Sequence, residues 1–200
     1  LWDRLTAGGR SEVRAADVLA TVLRAFAPIW RSGTLIVGQP AGDVWPHRFA
    51  GAATAHERDT TTPGYVPFHK LSQWLSYSLL EPLQWAGLRV TGLDALTGLP
   101  EYRNGGLLLD AGVIVPRRDS DRTRRWKPGD EFIVEWRALT VSLLDEVAVL
   151  VRQRLGRTAE ELPLACILEG GTWAAGRQIA AELRDGGPPP LQIDSDGTVF

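Results

Sequence analysis

Apolar residues recur at helical spacing along most of the chain, and proline and glycine punctuate the runs. Between Ser11 and Trp30, Val18, Leu19, Val22, Leu23 and Phe26 alternate with Glu12, Arg14, Asp17 and Arg24, which predicts an amphipathic helix ending at Pro28. Residues 31–64 are rich in Gly, Pro, Thr and Ala and hold a short strand at Leu35 to Val37; a loop of this length is mobile or functional. Pro67 opens a second helix that runs to Pro82, with Leu71, Trp74, Leu75, Leu79 and Leu83 as its buried stripe. Asp94 is placed to cap a brief turn, and a third helix starts at Pro100 and passes through Gly105 and Gly106 to stop near Gly112. Asp130 caps the longest helix, Glu131 to Leu155, with Ile133, Trp136, Thr140, Leu143, Val147, Leu150 and Val151 facing the core. Pro163 begins a helix ending at Glu169-Gly170-Gly171, and Thr172 caps the next, which carries Trp173, Arg177, Ile179 and Leu183. Leu191 to Phe200 alternates around Asp196-Gly197 and predicts a small C-terminal β-hairpin. The sum is a mainly α protein, a helical bundle forming a single domain over residues 1–200.

Composition adds limits. A chain of 200 residues, 44% hydrophobic with eight Trp, can bury a sizeable core. Its net charge of −2 gives no general pull toward nucleic acid or an anionic membrane, so partners must be recognised locally. The basic residues between Arg117 and Lys127 are diluted by Asp119 and Asp121 and read as a solvated surface loop. A lone Cys166 excludes an internal disulfide, sits among Leu164, Ala165, Ile167 and Leu168 like a small buried residue, and fits a reducing cytoplasm. No apolar run reaches transmembrane length and no charged-then-apolar leader is present. The chain starts at Leu1 and has no Met, as expected of the C-terminal part of a longer protein. P-loop, GxGxxG, nucleophile-elbow and Cys/His patterns are missing, so neither a cofactor nor a metal is expected.

The candidate chemistry concentrates in Leu99-Pro100-Glu101-Tyr102-Arg103-Asn104-Gly105-Gly106. Pro100 places Glu101 beside free backbone N–H groups, where the helix dipole favours an acid, and Arg103 points away from it. A capped helix start and a functional site remain equal readings of that spacing. Lys70 falls in a first turn, where the dipole disfavours a cation; it either reaches solvent or is held for an anion or a reacting oxygen, with Gln73 one turn later. Glu135 neighbours the apolar Trp136, and Glu169 with Trp173 flanks a glycine pair much as Glu101 does. Asp43 and His47, either side of Trp45, offer an acid/base or metal pair but fall short of a zinc pattern.

The runs HKLSQWLSYSLLEPL, LTGLPEYRNGGLLLD, EWRALTVSLLD, LEGGTWAAGR and SDGTVF resemble the C-terminal half of the uracil-catabolism protein family of the URC pathway, long catalogued as a domain of unknown function. A shorter pattern, Lys-x-x-Gln followed by acid-Tyr-Arg and Glu-x-Arg-Ala, is similar to the queuosine-salvage N-glycosidases, relatives in fold of helical DNA glycosylases. In that group the second motif carries Asp where this chain has Glu101, and the match departs at Asn104-Gly105-Gly106. The resemblances imply a DNA-glycosylase-like helical bundle and an N-ribosyl hydrolase that releases urea from ribosylurea or its 5′-phosphate. An oxocarbenium-like transition state wants a carboxylate near C1′ and a donor for the leaving group. Carried over by position, Glu101 is that carboxylate; Lys70 anchors the sugar or phosphate and holds Glu101 ionised, and Glu135 completes the catalytic set. Arg137 orders the pocket, Glu169 is a second candidate acid, and Gln73, Arg103 and Asn104 bind or orient the substrate. Tyr102, Trp45 or Trp173 would cover the planar urea. The expected partner is thus a small ribosylated molecule, neither nucleic acid nor membrane. A non-catalytic ligand-binding or scaffold protein with the same pocket is the alternative.

Overall fold

The computed structural model describes residues 1–26, 29, 34–50 and 64–195, and it is mainly helical, as the periodicity predicts. After α1 (Trp2–Leu5) and β1 (Glu12–Arg14) comes α2 (Ala15–Phe26). Four short strands follow: β2 (Leu35–Ile36), β3 (Gln39–Pro40), β4 (Val44–Pro46) and β5 (Tyr65–Pro67). Then come α3 (Lys70–Trp85), β6 (Arg89–Thr91), α4 (Tyr102–Asp110), α5 (Ser120–Thr123) and β7 (Arg125–Trp126). The chain continues through α6 (Glu131–Leu155), α7 (Leu164–Ile167), α8 (Ala174–Leu183) and β8 (Gln192–Ile193). The strands pair two by two, β2–β3 and β4–β5 antiparallel, β1–β6 and β7–β8 parallel, and pin the loops between helices.

Two apolar clusters form. One gathers Val13, Val18, Leu80, Leu83, Leu88 and Leu96 from α2, α3 and their flanks. The other gathers Leu109, Trp126, Ile133, Trp136 and Leu191 around α4 and α6. Each helix reaches its cluster with one part of its length, which leaves the N-terminal turns of α3 and α4 for polar work.

Several expected elements shift. The first helix starts at Ala15 because Glu12–Arg14 pairs with Arg89–Thr91 and buries Val13; Pro28 lies outside the described residues. Pro67 belongs to a strand paired with β4, so α3 begins three residues later, and it runs through Pro82 to Trp85. The 3₁₀ turn Leu93–Ala95 is capped by Gly92 in a left-handed conformation, with Asp94 inside it. The expected hairpin is replaced, in its described part, by parallel pairing of Gln192–Ile193 with Arg125–Trp126; residues 196–200 lie outside the described set. Gly170-Gly171 does not end a helix. A π-helical segment, Leu168–Trp173, joins α7 to α8, with Thr172 buried inside it and not capping. Cys166 is exposed, on the outer face of α7, contrary to its apolar setting in sequence.

The stripes rotate as well. In α3 the buried face is Lys70, Ser72, Gln73, Ser76, Leu80 and Leu83, while Trp74 is 55% exposed. Ser76 satisfies its hydroxyl on the Ser72 carbonyl, which lets a polar helix face go inward without an orphaned donor. In α6, whose bounds match those predicted, Ile133, Val134, Trp136, Arg137, Thr140, Leu144 and Ala148 are buried and Leu150 is exposed. Asp130 stands at the N-cap, but its carboxylate accepts the N–H of Lys127 and leaves the helix N–H groups alone.

Candidate active site

The polar faces of α3, α4 and α6 meet around a carboxylate that precedes β4. Asp43 is buried and accepts two hydrogen bonds from Arg137 at 2.7 Å each, one from Trp45 Nε1 at 2.7 Å and one from the Lys70 N–H at 3.0 Å. Its main-chain carbonyl accepts the N–H groups of Phe68 and His69. Burial alone would push this carboxyl up; the hydrogen bonds and charge of Arg137, with the Lys70 N–H and Trp45, outweigh it and hold Asp43 below its ordinary value. Arg137 is 1% exposed, donates Nε to the Pro100 carbonyl at 3.2 Å and lies with its guanidinium 4.1 Å from the Phe68 ring centroid. One fork-to-fork pair therefore ties the start of α3, the entry to α4 and the body of α6 together.

Glu101 and Lys70 sit on this brace. Glu101 is the N-cap of α4, extended at φ −126°, and accepts the N–H groups of Arg103 at 2.8 Å and Asn104 at 2.6 Å. Shorter side chains are the usual caps, so a glutamate here spends its extra carbon without need of the cap itself. Burial pushes its carboxyl up, and the two N–H groups and the charges of Lys70 and Arg103 only partly oppose that. The expectation that Lys70 holds Glu101 ionised is thus corrected in its net direction: the ammonium acts as expected, but desolvation is larger. Lys70, the first residue of α3 and 9% exposed, is itself pushed down, by burial first and then by Arg137, with Glu101 and Asp43 pulling the other way. It is not the solvated lysine that one reading allowed. The two groups feel each other's charge, and each is driven toward its neutral form by the surroundings.

The other candidates divide. Gln73 is buried and accepts the Thr97 N–H at 3.3 Å, holding the turn that leads to Glu101. Asn104 is 1% exposed, donating to the Leu99 carbonyl at 3.0 Å and accepting from Thr172 Oγ1 at 2.8 Å, so its amide links α4 to the π segment. Arg103 donates to the Gly187 carbonyl at 3.0 Å, with its guanidinium 4.8 Å from the Tyr102 ring centroid, and its buried Nε has no hydrogen-bond partner among the described residues. Trp45 donates to Asp43 and lays its ring against Gly129. Glu135 is exposed, and its charge acts on Arg48, which pairs with Glu131; it does not join the buried cluster. Glu169 is exposed on the π segment, and Trp173, 38% exposed, packs against Arg177. Gly105 and Gly106 serve close packing: a Cβ on Gly105 would meet Trp136 at 2.5 Å, and one on Gly106 would meet Pro190 at 3.1 Å.

Sequence inspection missed two residues. Asp43 was weighed with His47, whereas its carboxylate belongs to Arg137, 94 positions away. His69, at the N-cap of α3, has φ +48°, a conformation rare for a side chain with a Cβ. Its signal in the sequence was only its place before Lys70.

Comparison with known proteins bears on the whole chain. It is 41% identical to "Uracil catabolism protein 4" of Lachancea kluyveri over 96% of its own length and 47% of that protein's. It is 43% identical to "Protein urg3" of Schizosaccharomyces pombe over 86% of its length and 41% of the relative's. The chain spans less than half the length of both curated relatives. No solved structure matches it. Among the described residues no helix is long and apolar enough to cross a membrane. The model of the protein family of unknown function DUF1688 matches residues 1–200, and with these relatives it places the chain in that family, whose similar members include a uracil-catabolism protein.

Proposed function

We propose that the full-length protein is an N-ribosyl hydrolase of pyrimidine catabolism, releasing urea from ribosylurea or its 5′-phosphate. The observation that carries this is the buried Lys70 and Glu101 pair at the starts of α3 and α4, braced by Asp43 and Arg137. Burial makes the ionised Glu101 carboxylate costly, and positive charge developing on a sugar ring would relieve that cost, so the carboxylate favours the transition state over the ground state. Each carboxylate oxygen accepts one backbone N–H and keeps lone-pair capacity for a water or a sugar carbon. The Lys70 ammonium, kept from bulk water, would donate to the leaving carbonyl or a sugar oxygen. Arg137 is a positioning residue, and so are Asn104 and Gln73. Exposed Glu135 takes no chemical step in this scheme. The name of the Lachancea kluyveri relative and the short similarity to queuosine-salvage N-glycosidases point the same way.

A ligand-binding protein without catalysis is the second reading, favoured by one observation: both Glu101 oxygens already serve as a helix cap. Glu101→Gln in the full-length protein separates the two. Hydrolysis predicts a loss in kcat of about 100-fold or more with KM little changed, the size expected for an acid/base or charge-stabilising group. Unchanged kcat would remove Glu101 from the chemistry.

A further inference from the structure

The Glu101 carboxylate accepts the N–H groups of Arg103 and Asn104, so its direction depends on what fixes those two residues. The hold on both comes from the segment 168–183. Gly176 in α8 lies against the main chain of Arg103, where a Cβ would meet the carbonyl oxygen at 2.2 Å. One turn earlier Thr172, 68 positions from Asn104 in the chain, donates its hydroxyl to Asn104 Oδ1 at 2.8 Å. Asn104 in turn donates Nδ2 to the Leu99 carbonyl at 3.0 Å, which ties down the residue two before Glu101. The polarity of this relay is forced. A main-chain carbonyl only accepts, so the amide turns its NH2 to Leu99 and its oxygen to Thr172, and that oxygen needs a donor. Asn104 is 1% exposed, so without the hydroxyl the oxygen would be stranded away from bulk solvent.

The local main chain delivers that hydroxyl. From Glu169 to Ala175 every residue but Thr172 is exposed. Thr172 lies in the π-helical stretch, whose wider turn is a recurrent feature of functional sites. A threonine inside a helix commonly returns its hydroxyl to the carbonyl four residues back, as Thr21 and Thr140 do at 2.7 and 2.8 Å. For Thr172 that carbonyl, on Leu168, is 3.5 Å away, and Asn104 Oδ1 is the nearer acceptor.

We propose that Thr172 is a positioning residue for Glu101: its hydroxyl fixes the Asn104 amide, and the Asn104 N–H with it, so that the carboxylate keeps one direction in the site. What Glu101 does there rests on the hydrolysis reading; how it is held does not.

The test compares full-length native protein with Thr172→Val, which keeps the shape and removes the hydroxyl, and with Thr172→Ser, which keeps the hydroxyl. The first readout needs no turnover. It is titration of the Glu101 carboxyl, followed by its carbon resonance in glutamate-labelled protein and assigned by its absence in Glu101→Gln. Loosening the Asn104 N–H bond to the ionised form should move that titration upward by about half a pH unit or more in Thr172→Val, and Thr172→Ser should show little of the shift. The charges that act on Glu101, Lys70 from α3 and Arg103 from α4, are the same in all three proteins. The second readout is ribosylurea hydrolysis. Thr172→Val should lower kcat by about tenfold with KM little changed, and its acid limb should move to higher pH in step with the titration. If native protein leaves ribosylurea intact, the hydrolysis reading fails and the titration alone decides on Thr172. An unmoved titration in folded Thr172→Val overturns the proposal, as does a shift that Thr172→Ser shares in full, which would mark altered packing. Where native protein turns the substrate over, an unchanged kcat in Thr172→Val overturns it too. Should Thr172→Val not melt cooperatively, Thr172→Cys, a weaker donor of similar size, takes its place.

Discussion

At the scale of the residue, the site turns on carboxylates whose surroundings push them apart. Asp43 is held low by Arg137 and stays ionised; Glu101 is pushed up by burial. Removing one member of a buried ion pair leaves the other charge uncompensated, so Asp43→Asn should cost about 3–5 kcal/mol in urea-melt stability. A cost below 1 kcal/mol would show that Arg137 finds another counter-charge. For Glu101 the sign runs the other way. Its folded value is raised, so its favourable contribution is complete at acid pH and is lost as pH rises through that value. Glutamine does not titrate, and the melting temperature of Glu101→Gln relative to the native protein should therefore climb as pH rises from the ordinary glutamate value of about 4 toward neutrality. A flat difference across that range would mean that burial does not dominate at Glu101. Glu101 stood out in sequence as an acid at a proline-opened helix start and Lys70 as a cation in a first turn, whereas Arg137 was carried only by the resemblance to a Glu-x-Arg-Ala motif. Asp43 and His69 were not legible, since their roles come from chain segments that only the tertiary fold brings together.

At the scale of the element, α4 and α8 are set by contact, not by propensity. A Cβ on Gly176 would meet the Arg103 carbonyl oxygen at 2.2 Å, so α8 crosses α4 backbone against backbone. Glycine to alanine inside a helix ordinarily gains about 1 kcal/mol. Gly176→Ala should instead destabilise by about 1–3 kcal/mol, the range for overpacking, as read by chemical denaturation. A stabilised variant would show that the crossing is looser. Gly105 and Gly106 serve close approach in the same way, against Trp136 and Pro190, whereas the pair Gly170-Gly171, read in sequence as a helix end, lies inside the π segment. The helix periods located α2, α3, α4 and α6, and α6 to the residue, because strong apolar spacing and a left-handed Gly156 close its C-terminus. The face that each helix buries was harder. Lys70, Gln73 and Ser76 go inward on α3 because they meet polar partners, and hydropathy alone turns such residues outward.

For the whole molecule, two apolar clusters hold α3 and α6 so that Asp43, Lys70, Glu101 and Arg137 meet between them. The two-stranded ladders, each resting on a pairing between segments far apart in sequence or on a tight turn, had almost no pattern of their own to read. The membership in the uracil-catabolism family was legible from long motif runs; the buried brace behind the motifs was not. The chain spans less than half the length of its curated relatives, so the proposed activity is tested on the full-length protein. The most direct test of the hydrolysis account is to incubate that protein with ribosylurea and with its 5′-phosphate and to measure urea and free sugar. The account predicts equimolar urea and ribose, or ribose 5-phosphate, from at least one of them. Intact substrate in both reactions would contradict it.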